Sequence, residues 1–164
     1  VLSLPSKGEV VKAPLYPPPA QVDGESDEAF AVREAAYSDQ AGVNLRCKLM
    51  SRAEALEARY RLAELQASER RRLHDLRASS TAEVWPELHE DGYQTIEFVG
   101  AMAEWSRGIL EAHLAGVTGI QVEGGDVGGD VAKAIEAFEF NGLLEYAASR
   151  VVGAQGLNGR QVFC

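Results

Sequence analysis

Apolar and polar residues alternate most cleanly over residues 43–50, where Val43, Leu45, Cys47 and Leu49 are separated by Asn44, Arg46 and Lys48. A period of two predicts a half-buried strand. Ser51 and Glu54 then form an S-x-x-E capping box. In such a box the serine oxygen takes the N3 amide and the glutamate reaches back to the cap amide, so a helix starts here. Through residue 78, Ala55, Ala58, Leu62, Leu65, Glu69, Leu73 and Leu76 recur at spacings of 3, 4, 3, 4, 4 and 3. At about 100° per residue they share one narrow stripe with the geometry of a coiled-coil seam. Arginines 59, 61, 70, 71 and 77 occupy the other faces. A helix so thinly apolar packs on one side only, against a partner helix of the same chain or of a second copy.

Residues 94–115 predict a second long helix. Ile96, Val99, Ala103, Leu110 and Leu114 lie on one side of it, and Phe98, Trp105, Ile109 and Ala112 on another. With polar residues confined to a narrow wedge, such a helix is expected to be surrounded by neighbours. Residues 131–140 place Val131, Ala134, Ile135 and Phe138 on one face and end at Asn141-Gly142, a pair that accepts left-handed geometry. Leu143, Leu144, Ala147, Ala148, Val151 and Val152 continue the amphipathic pattern. Residues 27–39 carry a short helical repeat in Phe30, Arg33, Ala36 and Tyr37.

Five of the six prolines fall within residues 1–26, and Tyr16 is followed by three of them. Such a run favours extended polyproline geometry, which predicts an arm outside the core. The expected organisation is therefore a proline-rich arm over residues 1–40, with one short helix in it, a helical domain over 41–155, and a loose tail over 156–164. The fold class expected is mainly α, with a minor strand pair.

Composition narrows the classes of function. The net charge of −9 argues against a general nucleic-acid binder and against docking on anionic membranes. No apolar run approaches the ~20 residues of a membrane-spanning helix. The first residues hold neither the basic nor the apolar region of a secretory signal, so a cytoplasmic protein is expected. The chain opens on Val1, as a fragment or a GTG-initiated reading frame does. Cys47 and Cys164 are far apart and fit no metal-type spacing, so both are expected to be free thiols.

The most site-like stretch is residues 116–130, GVTGIQVEGGDVGGD, with six glycines and three acids. It has no lysine and hydroxyl after its glycines, as a P-loop requires, and lacks the spacing of a dinucleotide fingerprint. One account makes Gly116 a helix stop, turns a short hairpin at Gly124-Gly125, and gives Asp130 the N-cap of the next helix. The alternative is a calcium site using Glu123, Asp126 and Asp130. His74, His89 and His113 form no zinc or nucleophile motif. An enzyme using His89 or His113 is the third option, and no catalytic residue, metal ligand or cofactor is assigned.

Residues 93–158 combine an aromatic-containing helix ending in HLAGVTG, an acidic glycine segment, and a helical pair closed by Asn158. Residues 45–57, LRCKLMSRAEALE, add a strand followed by a capped helix start. This layout resembles the tail assembly chaperones and related small morphogenesis proteins of tailed bacteriophages. Their W-x-G-V-x-D-x-D-G turn is represented here only by Gly116-Val117 and Glu123-Gly124, without the tryptophan. The resemblance implies a non-enzymatic assembly factor, without cofactor, that binds other tail or structural proteins in the host cytoplasm or virion. Partner capture or self-association would then fall to the seam, at Leu62, Leu65, Leu73 and Leu76.

Overall fold

The computed structural model describes residues 6–16, 20–79 and 94–163. Three antiparallel strands form a sheet in the order β1 (Val10–Pro14), β2 (Asn44–Lys48), β3 (Leu114–Thr118). Around it stand helices α1 (Asp27–Ala41), α2 (Arg52–Ser79), α3 (Ile96–His113), α4 (Val131–Phe140) and α5 (Leu144–Phe163). A two-stranded hairpin, β4 (Gln121–Val122) and β5 (Gly125–Asp126), precedes α4. The fold is mainly α, as the periodicities predict.

The central strand follows its alternation. Leu45, Cys47 and Leu49 are buried and Arg46 and Lys48 exposed, with Asn44 the one polar residue of the set that is also buried. Leu45 and Cys47 meet Leu110, Leu114 and Val117 in a core that α5 closes with Ala147, Ala148 and Val151. Ala134, Ile135 and Phe138 of α4 enter the same core. Burial pushes the Cys47 thiol up to about 12, so it stays protonated and inert.

Four expectations need correction. First, the segment Val10–Pro14 is not an arm: it pairs in register with β2, Ala13 opposite Leu45, and Ala13 and Leu15 are core residues. Pro14 is tolerated because this is an edge strand, where a missing donor costs no ladder bond. The strand pair is therefore a three-stranded sheet plus a hairpin.

Second, α3 stops at His113, and Leu114 turns extended, to pair through β3 with β2. Gly116 serves the sheet instead of ending the helix. A Cβ there would stand 2.9 Å from the carbonyl oxygen of Gly128, whose segment covers the β3 edge through the Val117 amide. Gly119 is left-handed, and a Cβ on it would overlap the carbonyl of Gly42. The hairpin turns at Glu123-Gly124, both with positive φ, one residue before the expected pair. That is the backbone a two-residue type I′ turn requires.

Third, α3 is enclosed on one face only. Met102, Ser106, Ile109 and Leu110 are buried, whereas Ile96 is 88% exposed. Fourth, residues 156–163 continue α5 instead of forming a loose tail. The connector with Trp85-Pro86 and His89, the triple proline and Cys164 lie outside the described residues.

Candidate functional site

The predicted capping box forms at the start of α2. The Glu54 amide donates to Ser51 Oγ at 3.2 Å, and the Ser51 amide donates to Glu54 Oε2 at 2.9 Å. Lys7 Nζ adds an ion pair to Glu54 at 2.8 Å. From this anchored end α2 runs alongside α3, and several polar ties hold the pair, among them Arg72, which donates to Thr95 Oγ1 at 3.2 Å and lies 3.9 Å from the Glu97 carboxylate. Trp105 Nε1 donates to the carbonyl of Ala58 at 3.3 Å. Farther along, the buried carboxylate of Glu69 accepts from the Thr95 amide and hydroxyl at 2.9–3.2 Å. Thr95 is the N-cap of α3, its oxygen accepting from the Phe98 amide. A glutamate on the seam thus satisfies the end of the neighbouring helix.

On one flank of this pair the helices part to leave an open groove of about 710 Å³. Ala58, Leu65, Ala101, Trp105 and Ile109 give it an apolar floor, and Gly108 leaves part of that floor bare. Its rim carries Glu54, Glu57 and Glu64 from α2 and Glu104 from α3, against one guanidinium, Arg61. Arg61 is bound to Glu64 at 2.8 Å. Tyr60 stands at the edge, 70% exposed.

His113 closes one end of the groove. Burial lowers its pKa, with Lys48 and Lys7 acting in the same direction and the Glu54 carboxylate opposing them. Glu54 is itself held down to about 2, first by Lys7 and then by the Ser51 amide. A neutral imidazole beside a carboxylate committed to a cap and an ion pair is poorly placed for proton transfer. No serine, threonine or cysteine lines the groove among the described residues.

Of the four seam leucines, only Leu65 reaches the groove; Leu62, Leu73 and Leu76 lie half-buried elsewhere along α2. The second apolar face of α3, with Trp105 and Ile109, was visible in its periodicity. Its use as a floor left open was not, because the gap belongs to neither helix alone. A smaller depression between α3 and α4, about 370 Å³, is bridged by Arg107 and Glu139 at 2.6 Å.

The acidic glycine stretch does not assemble a cation site. Asp130 Oδ1 accepts the Lys133 amide at 3.1 Å as the N-cap of α4, while Glu123 sits in the hairpin turn. No group of three His, Cys, Asp or Glu side chains that would hold a metal occurs among the described residues. Nor is any described helix long and apolar enough to cross a membrane.

No protein-family model, curated protein or solved structure matches this chain.

Proposed function

We propose that the protein is a non-enzymatic binding factor that holds a helical segment of another protein in the groove between α2 and α3, and that it does so in the assembly of a tailed-phage virion. The observation that carries the binding role is the open groove itself, whose apolar floor of buried Ala58 and Ile109 and half-buried Leu65, Ala101 and Trp105 is not covered over by any other described residue. Helix-in-groove recognition uses such a floor with a polar rim. The phage assignment is supported by the layout of residues 93–158 and 45–57 described above. The acidic charge of −9 suits a factor that must stay soluble beside aggregation-prone subunits.

Co-expression with the products of adjacent genes, followed by purification and titration of each pair, tests the role. A specific complex with a tail or structural protein is expected, and Gly108→Trp should abolish it by filling the groove without lowering the melting temperature. Binding that ignores the filled groove would refute the site. Failure of every neighbouring virion protein to bind would refute the assembly role.

A further inference from the structure

We infer that the occupant of this groove is a cationic amphipathic helix of a partner protein, its lysines or arginines paired with Glu57 and Glu104 and its backbone brought close to α3 at Gly108. The inference rests on the groove reading above and adds the chemistry of what fills it.

Charge comes first. Of the four rim carboxylates, Glu54 is paired with Lys7 and Glu64 with Arg61. Glu57 on α2 and Glu104 on α3 make no ion pair or hydrogen bond among the described residues. They belong to opposite walls of the same apolar floor. Two unpaired carboxylates flanking a hydrophobic strip complement an apolar helix face edged by cations. A second copy of this chain is the poorer fit, because it brings a net charge of −9 to an already acidic groove.

Length and relief agree. The lining spans residues 54–65 of α2 and 101–113 of α3, about 16–18 Å at the rise of an α-helix. That is room for about three turns of a docked helix. Gly108 sits in the interior of α3, where glycine is less favourable than alanine. A Cβ placed there meets nothing within 4 Å. Packing among the described residues therefore gives no reason for glycine at this position, whereas a helix crossing close above it does.

The test uses three synthetic helices of about 14 residues with one shared leucine face, their polar positions filled with lysine, glutamine or glutamate. Each is titrated calorimetrically into the full-length protein. The lysine peptide should bind at least about tenfold more tightly than the glutamine peptide at low salt, and the gap should close as salt rises. Glu57→Gln with Glu104→Gln should erase the preference, and Glu57→Lys with Glu104→Lys should transfer it to the glutamate peptide. Gly108→Leu should weaken all three without lowering the melting temperature.

Equal affinity for the three peptides, lost in Gly108→Leu, would overturn the cationic occupant while leaving the groove as a helix site. Binding that is absent, or indifferent to Gly108→Leu, would overturn both. Concentration-dependent self-association of the protein alone, abolished by Glu57→Lys, would instead make the occupant a second copy.

Discussion

Ser106 and Glu69 are both polar side chains enclosed by the fold, and their situations are opposite. Ser106 is fully buried on the inner face of α3, and its hydroxyl has no hydrogen-bond partner among the described residues. An orphaned hydroxyl keeps its desolvation cost, so Ser106→Ala should be neutral or stabilising by up to about 1 kcal/mol. A urea midpoint that falls in this variant would show that the hydroxyl has a partner after all. Glu69 is equally enclosed, yet each of its carboxylate oxygens is bonded to Thr95. Glu69→Ala removes those acceptors and leaves the Thr95 amide and the proton of its hydroxyl without an acceptor, while the hydroxyl oxygen still accepts from Phe98 and Arg72, a loss of about 1–3 kcal/mol. Thr95→Ala should cost about 1 kcal/mol through the cap. Because the two residues share one network, their double variant should cost less than the sum, and a denaturation cycle measures the difference.

At the scale of the element, α2 is held at its start by charge and along its length by a thin apolar stripe. Only Ala58 and Glu69 of its 28 residues are buried. Its N-terminal box therefore matters more than it would for a core helix. The Glu54 carboxyl lies below its ordinary 4.5, at about 2, because Lys7 and the Ser51 amide favour the charged form. The unfolded chain takes up that proton more readily than the folded one. Its stabilising contribution is therefore complete above pH 4.5 and disappears as the pH falls toward 2. Glu54→Gln should lower stability near neutrality and flatten the acid limb of the stability profile. Denaturant midpoints at about pH 6 and about pH 3 check this: parent and variant should differ less at the lower value. A constant difference would assign the effect of Glu54 to something other than its charge.

At the scale of the whole molecule, the features that could be read in advance are those one segment determines alone. The Ser51–Glu54 box, the alternation of β2, and the buried faces of α4 and α5 depend on neighbours within a few residues. β1 is different: VVKAP becomes a strand because β2, some thirty residues later, offers Leu45 and Cys47 beside it. Leu114–Thr118 likewise leaves a helical pattern because β2 has a second edge to fill. The groove was hidden for the same reason, being a space between two helices. This non-local role of the N-terminal segment has a thermodynamic consequence. Leu15 is 2% and Ala13 5% exposed. The Pro14 carbonyl accepts Arg150 Nε of α5 at 3.1 Å, and Tyr16 stacks on Tyr146 at 6.1 Å. Deleting residues 1–16 would strip one edge from β2 and open the core beneath it. We expect a loss of at least about 3 kcal/mol, since burial of one leucine alone contributes about 1.5–3 kcal/mol before the strand pairing is counted. Against a typical total of about 5–15 kcal/mol, that is a large share. Leu15→Ala isolates the packing part and should cost about 2–5 kcal/mol. An extended arm outside the core predicts the opposite, an unchanged urea midpoint for both variants. Equilibrium denaturation followed by tryptophan fluorescence decides between the two, because Trp105 packs against the core whose edge β1 closes.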